Sequence, residues 1–390
     1  MTHTRNRYLT DIIKKKLAYS PVVAIQGPRQ CGKSFLAKKL ISEKINLATY
    51  VTFDRAGDRT FAQSNPESFL LQHEARKPLI IDEAQKVPAI FDAIKYSVDE
   101  LKTPGRFILL GSTEFSKLTL VRETLTGRIS KARLFPFTLS ESRHLAFQAL
   151  NKKAALNPKP LVSRSDLIKY LARGGLPGIF SVNNVAHREA LFGDWIALTV
   201  ERDIHNFPKV KANSEVAYKI MEGIARLDAP DQARLTSYCG RDYRTVAKHL
   251  EILKTLFVIV GLQPHALSTG KETYYLCDVG LVNILGGDFR QCLKTYALME
   301  LLAKNEYAQQ KRRYYYYRNT KGSLIDFIEE NDDQLTALKL ISKEQFDSRD
   351  FAILIALRNK HSKVKLKALG PAAMKLEAEK IEVLPWESVA

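Results

Sequence analysis

Short apolar runs alternate with amphipathic stretches from residue 22 onward. Val22–Gln26, Tyr50–Phe53, Leu79–Ile81, Phe107–Leu110 and Leu134–Phe137 read as strands, and helical spacing fills most of the intervals. Runs that are apolar throughout belong to strands buried on both faces, and the helical intervals supply the long crossovers that parallel pairing needs. The pattern predicts an α/β domain over residues 1–150, with a parallel sheet covered by helices on both sides.

At 151–164, NKKAALNPKPLVSR is polar, carries two prolines and shows no period, which marks a linker. Residues 165–235 are mostly helical in pattern, broken by GGLPG at 174–178, and 236–262 resembles a helix-turn-helix. Its two short helices are drawn over Leu235–Gly240 and Thr245–Leu256, joined at Arg241–Arg244, with Val246, Leu250 and Leu253 at helical spacing in the second. After Tyr274 the pattern changes to YYLCDVGLVNIL, a helix near 293–305, the aromatic run RRYYYYR, then LIDFIEE and LTALKLIS. That mixture predicts a third, α+β unit over 270–390, behind a helical segment at 165–265, and no internal repeat is visible.

A chain of 390 residues is longer than one hydrophobic core usually serves, in keeping with several domains. Hydrophobic residues at 45% and charged ones at 26% are ordinary for a globular chain. Four scattered cysteines, at 31, 239, 277 and 292, form neither a disulfide framework nor a Cys-x-x-Cys zinc pair, which fits a reducing compartment. The opening MTHTRNRYLTDIIKKKLAYS lacks the apolar core of a signal peptide, and no run of about 18 apolar residues is present, so a cytoplasmic protein is expected. Sixty Lys+Arg against 42 Asp+Glu leave a net charge of +18, which favours a polyanionic partner such as nucleic acid, although a basic protein without such a ligand shows the same balance.

Gly27-Pro28-Arg29-Gln30-Cys31-Gly32-Lys33-Ser34 carries the chemistry, because it lies between the strand Val22–Gln26 and a helix expected at Phe35–Leu40. Glycines at both ends let the loop amides wrap phosphate at a helix N-terminus, a lysine then reaches the β and γ oxygens, and a serine hydroxyl ligates Mg2+. ATP and Mg2+ are therefore the expected cofactors. Such a site also needs a carboxylate at the end of a buried strand, and Leu79-Ile80-Ile81-Asp82-Glu83 provides Asp82 for the metal and Glu83 to polarise the attacking water. Ser112, ending the run Phe107–Leu110 with Gly111, is the candidate to meet the γ-phosphate or the water, where a plain strand-to-turn transition would look the same. Arg128 is either a charge-stabilising finger on a neighbouring subunit of a homo-oligomer or an exposed arginine.

In this order, GPRQCGKS at 27–34, FD at 53–54, LIIDEAQKVP at 79–88, LLGS at 109–112, TGR at 126–128 and PFTLSE at 136–141 resemble a family of prokaryotic AAA-type ATPases. The likeness continues through GGLP at 174–177, YYLCDVGL at 274–281 and IDFI at 325–328. The resemblance implies an AAA-type P-loop core, a winged-helix segment and an α+β C-terminal domain similar to PD-(D/E)xK nucleases. In that last domain Asp326 and Lys339 match the family's pattern, but Ala337 stands in place of the ExK glutamate and Lys294 where the helix glutamate would fall. A cluster of acidic oxygens is needed to hold Mg2+ for hydrolysis, so the domain is expected to be nuclease-like but inactive, with Glu300 structural.

Arg241, Arg244, Lys248 and His249 would face DNA if the second helix of the helix-turn-helix entered a major groove, whereas the same module also serves in packing or protein contact. The RRYYYYR stretch at 312–318 reads as half-buried sheet before it reads as a base-stacking surface. The leading expectation is an ATPase acting on a macromolecular partner, DNA or protein. A nucleotide-gated switch with little turnover is the alternative, and an ATP-dependent nuclease is disfavoured by the incomplete acidic site.

Overall fold

The computed structural model describes residues 5–44, 48–73, 77–117, 127–147, 156–207, 211–332, 334–371, 374–376 and 380–390. The chain divides into two compact units. One comprises Met1–Phe137 with Leu176–Gly178 and Thr255–Phe257, and the other holds Thr138–Gly175, Ile179–Lys254 and Val258–Ala390.

In the first unit, strands β1 (Val22–Gln26), β2 (Thr49–Thr52), β3 (Leu79–Asp82), β4 (Phe107–Gly111) and β5 (Ile129–Arg133) make a five-stranded sheet in the order β2-β3-β4-β1-β5. Every neighbouring pair is parallel. Helices α1 (Leu9–Leu17), α2 (Lys33–Lys44), α3 (Ala56–Ser64), α4 (Pro66–Gln72) and α5 (Ala89–Glu100) provide the crossovers and covers. The three inner strands are buried at every position, whereas the edge strands β2 and β5 are only partly covered. Phe53, Phe69, Ile90, Phe91, Ile94 and Phe115 fill one side of the sheet.

The apolar run Leu134–Phe137, expected as the fifth strand, follows that strand instead. β5 is an edge strand whose Ser130, Lys131 and Arg133 are polar, so its pattern is weaker than that of the buried residues behind it.

The second unit opens with α6 (Leu139–Ser142), α7 (Arg164–Arg173), α8 (Pro177–Phe180, shared with the first unit) and α9 (Val185–Glu201). The start of the expected linker lies outside the described residues, and Ser163 at its end caps α7 in a reciprocal box with Asp166. Next come α10 (Ser214–Arg226), α11 (Gln232–Cys239), α12 (Tyr243–Thr255) and an antiparallel hairpin of β6 (Ile259–Leu262) and β7 (Thr273–Leu276). The two helices drawn from sequence thus begin earlier than expected, at Gln232 and Tyr243.

Behind α13 (Val279–Ile284) runs the long helix α14 (Phe289–Tyr307), which starts four residues before its predicted position because Asp288 and Gln291 form a capping box. Strands β8 (Arg313–Arg318), β9 (Leu324–Asn331), β10 (Gln334–Leu340), β11 (Lys365–Gly370), β12 (Met374–Leu376) and β13 (Ile381–Pro385), with α15 (Ala352–Lys360), complete the unit. Their order is β12-β13-β11-β10-β9-β8, parallel only where β10 meets β11 and β11 meets β13. Phe351, Leu354 and Leu357 pack on Ile325, Ile328, Ala337 and Val383 to form the core of this sheet. The tyrosine run is strand β8, with Tyr316 and Tyr317 buried. Among the described residues, no helix is long and apolar enough to cross a membrane.

Candidate functional site

The loop between β1 and α2 is shaped by its glycines. A Cβ on Gly27 would stand 2.1 Å from the carbonyl oxygen of Leu134, and Gly32 has φ +96°, so both positions exclude a side chain. Helix α2 begins at Lys33, two residues earlier than expected, with Leu36 N–H donating to Gly32 O at 2.9 Å. That places the loop amides and the first turn of the helix side by side, the arrangement that attracts phosphate. The Lys33 ammonium is buried, donating to the carbonyls of Gly27 (2.9 Å) and Pro28 (2.8 Å) with the Cys31 sulfur 4.0 Å away. Gly27, Pro28, Arg29, Gln30, Cys31, Gly32, Lys33 and Ser34 thus form one turn at the carboxyl end of β1.

Asp82 ends β3, two strands from β1 in the sheet, and is buried. Its Oδ1 accepts the Glu83 N–H at 3.0 Å, and its Oδ2 accepts the Tyr50 hydroxyl at 2.5 Å. Burial first, then the Asp82 carboxylate, pushes the Tyr50 phenol well above its ordinary value, so it stays a donor at neutral pH. Ser34 stands in the first turn of α2 and Asp82 at the end of β3. Their donors are hard oxygens, the set that suits Mg2+, which takes one or two protein ligands and completes its shell with water and substrate phosphates.

Glu83 follows in the left-handed region, φ 54° and ψ 42°. Ser112 at the end of β4 donates to Glu83 Oε2 at 3.2 Å, and the Gln85 amide donates both to that oxygen and to the Ser112 hydroxyl, the latter at 3.3 Å. Glu83 and Ser112, predicted separately, thus share one hydrogen-bonded group. Arg128 instead makes a two-pronged pair with Asp99 of α5, Nε to Oδ1 at 2.5 Å and Nη2 to Oδ2 at 2.9 Å, and this bond holds the Asp99 carboxyl below its usual range. Thr126 of the same motif lies outside the described residues.

Three residues were missed from sequence. Tyr50 had no motif, and Gln85 sits in plain view two positions after Glu83. Arg7, buried near the N-terminus, donates from Nη1 to Cys31 O at 2.7 Å and from Nη2 to Phe135 O at 2.6 Å, tying the phosphate loop to the segment after β5.

Residues 19–142 match a family model described as an AAA domain. Over these residues the chain is similar to AAA domains. A second model, a domain of unknown function (DUF8612), matches residues 164–291, and neither match reaches the six-stranded sheet. Two curated mycobacterial relatives, the uncharacterized proteins Rv2008c of Mycobacterium tuberculosis and Mb2031c of Mycobacterium bovis, are each 26% identical over 290 residues. That stretch is 72% of this chain and 60% of theirs, so the chain spans less than two thirds of their length. Among solved structures, the Walker-type ATPase PABY2304 of Pyrococcus abyssi is 15% identical with a TM-score of 0.44, over 71% of this chain and 94% of that one. A signal transduction ATPase with a tetratricopeptide repeat sensor from Pyrococcus horikoshii is 14% identical with a TM-score of 0.30, over 79% of this chain and 48% of its own.

In the second unit, Asp326 of β9 is fully buried and accepts Leu340 N–H at 2.8 Å. Lys339 of β10 stands 3.7 Å from it, and Lys294 of α14 lies 3.2 Å from Asp326 and 2.6 Å from Asp228. An ammonium thus sits against the carboxylate at the position where the resemblance would place an acid, and Ala337 is buried in the core. Glu300 is also buried and accepts Leu139 N–H at 2.6 Å. His249, expected to face DNA, is buried as well. Its Nε2 accepts Asn213 N–H at 2.8 Å and its Nδ1 meets Thr245 O at 2.8 Å, because position 249 falls on the apolar face of α12. Arg241 pairs with Glu215 at 3.2 Å, while Arg244 and Lys248 are exposed.

Proposed function

We propose that this chain is a Mg2+-dependent ATPase that uses turnover to rearrange its C-terminal modules on a macromolecular partner. The observation that carries this reading is the gathering of Lys33, Ser34, Asp82 and Glu83 at the carboxyl ends of β1 and β3, with Tyr50 bonded to the Asp82 carboxylate. In this reading Lys33 meets the β and γ oxygens, Ser34 and Asp82 hold Mg2+, Glu83 polarises water, Ser112 orients Glu83 beside the γ-phosphate, and Arg128 serves a neighbouring copy.

The helices α10, α11 and α12, followed by the β6–β7 hairpin, support a winged helix, and exposed Arg244 and Lys248 make duplex DNA the partner to test first. The test is phosphate release from ATP by wild type and Lys33→Ala, each with and without duplex DNA. Release by wild type alone, accelerated by DNA, is the expected result. Release indifferent to DNA transfers the partner role to a protein, and equal rates for wild type and Lys33→Ala remove hydrolysis from the proposal.

A second reading, a nucleotide-gated switch, is favoured by one feature: Glu83 Oε2 is already engaged by Gln85 and Ser112. Glu83→Gln separates the two, abolishing turnover with binding retained in the first and changing little in the second. The buried Lys294 and Ala337 speak against nuclease chemistry at Asp326, since an internal ammonium competes with any metal for that carboxylate.

A further inference from the structure

The edge strand β2 contributes one side chain that the P-loop motifs do not name. In the register of β2 with β3, Thr52 lies beside Asp82 and Tyr50 beside Ile80, so the phenol reaches forward along the strand to the carboxylate. Its ring is held from the other side by Lys38 of α2, whose ammonium sits 4.9 Å from the ring centre. The N–H of Phe53, the residue after β2, donates to Asp82 O at 3.0 Å and fixes the backbone of the carboxylate from the same side.

We propose that Tyr50 is a positioning residue for the magnesium site: its hydroxyl, bonded to Asp82 Oδ2, fixes the orientation of the carboxylate that receives the metal. The proposal rests on the nucleotide reading above. With Glu83 N–H on Oδ1 and Tyr50 on Oδ2, the Asp82 carboxylate is held at both oxygens and cannot rotate about its last bond. Mg2+ demands near-ideal octahedral geometry and tolerates misplaced ligands poorly. Groups that orient a ligating carboxylate by hydrogen bonds set metal affinity by factors of roughly 10–100 when removed. Tyr50 therefore acts on the metal and not on the phosphates, which the loop amides and Lys33 bind without it.

Tyr50→Phe isolates this role, because the ring and the Lys38 contact remain and only the hydroxyl goes. Mn2+ binding to the full-length chain in the presence of ADP is measured by electron paramagnetic resonance of the free ion, alongside ADP affinity in EDTA. Roughly tenfold weaker Mn2+ binding is expected, with metal-free ADP affinity unchanged. In steady state, the Mg2+ concentration for half-maximal turnover rises by a similar factor while kcat at saturating metal stays within about twofold.

Wild-type Mn2+ affinity in Tyr50→Phe, or an equal loss of ADP affinity with and without metal, would each overturn the assignment. If wild type binds neither ADP nor ADP with Mn2+, the nucleotide reading itself falls.

Discussion

Replacing Lys294 by methionine removes the ammonium at the centre of the second unit while keeping most of the side-chain volume. Lys294 is 5% exposed and Asp326 not at all, so their contact at 3.2 Å is shielded from water, whereas the Asp228 partner at 2.6 Å is 43% exposed. Removing one member of a buried pair costs about 3–5 kcal/mol, because the other charge is left unneutralised. Asp326 keeps Lys339 at 3.7 Å and the Leu340 N–H at 2.8 Å, and Asp228 can rehydrate, so the lower end applies, about 3 kcal/mol. For a unit of this size about 2–4 °C accompany each kcal/mol, giving a fall in Tm of roughly 6–12 °C.

The pH dependence has a definite sign. Burial pushes the Asp326 carboxyl up, but the Lys339 and Lys294 ammoniums outweigh it and hold the group below its usual range. In wild type the stability this contributes is present above the unfolded value of about 3.9 and is lost as pH falls through the lower folded value. In Lys294→Met one of the two cations is gone, the carboxyl titrates higher, and a proton relieves part of the penalty. The gap in Tm between wild type and variant, followed by circular dichroism, should therefore narrow from pH 7.5 to pH 5. Lys294→Met/Asp326→Leu should recover most of the loss, since an apolar pair replaces the charges. A loss under about 1 kcal/mol at pH 7.5, a gap that widens in acid, or no recovery in the double variant would refute the reasoning.

Gly27→Ala should abolish binding of a fluorescent ADP analogue while leaving secondary structure intact, because the new methyl meets the Leu134 carbonyl, a backbone atom that no rotamer change relieves; wild-type affinity would contradict this. Glu300 is pushed up to about 8 by burial, with Glu141 adding to the shift, so the folded chain holds a proton that the unfolded chain releases above about 4.3, and wild type loses stability between those values as pH rises. Glu300→Gln, which can still accept from Leu139 N–H, should therefore gain over wild type by a margin that grows to a few kcal/mol towards pH 8 in denaturant titrations, and a pH-independent margin would count against it. Arg244→Ala and Lys248→Ala should each weaken duplex DNA binding uniformly across sequences and reduce the salt slope by about one, measured by fluorescence anisotropy; unchanged slopes would assign this face to a protein.

The inner strands and the phosphate loop were legible because each is specified by residues next to one another. β1, β3 and β4 are buried on both faces and need no polar positions, and the loop closes within eight residues. β5 was hidden by its edge position, and the residues that organise the site were hidden by distance along the chain. Tyr50 meets Asp82 across 32 positions and Arg7 meets Phe135 across 128, and no local pattern encodes either contact. Lys294 was legible as a departure from a family pattern, but its second partner, Asp228, lies 66 positions away and became visible only in the fold.

His249 is a different case, because the signal was present and was outweighed by residue type. Val246, Leu250 and Leu253 mark the buried face of α12, and position 249, three residues after Val246, belongs to it. Once there, the ring is committed: Nε2 accepts Asn213 N–H, which leaves Nδ1 to meet Thr245 O. An enclosed histidine with both ring nitrogens engaged offers nothing to a phosphate backbone. The charge that α12 presents to a polyanion is therefore carried by Arg244 and Lys248, one turn apart on the exposed side, with Arg241 already paired to Glu215.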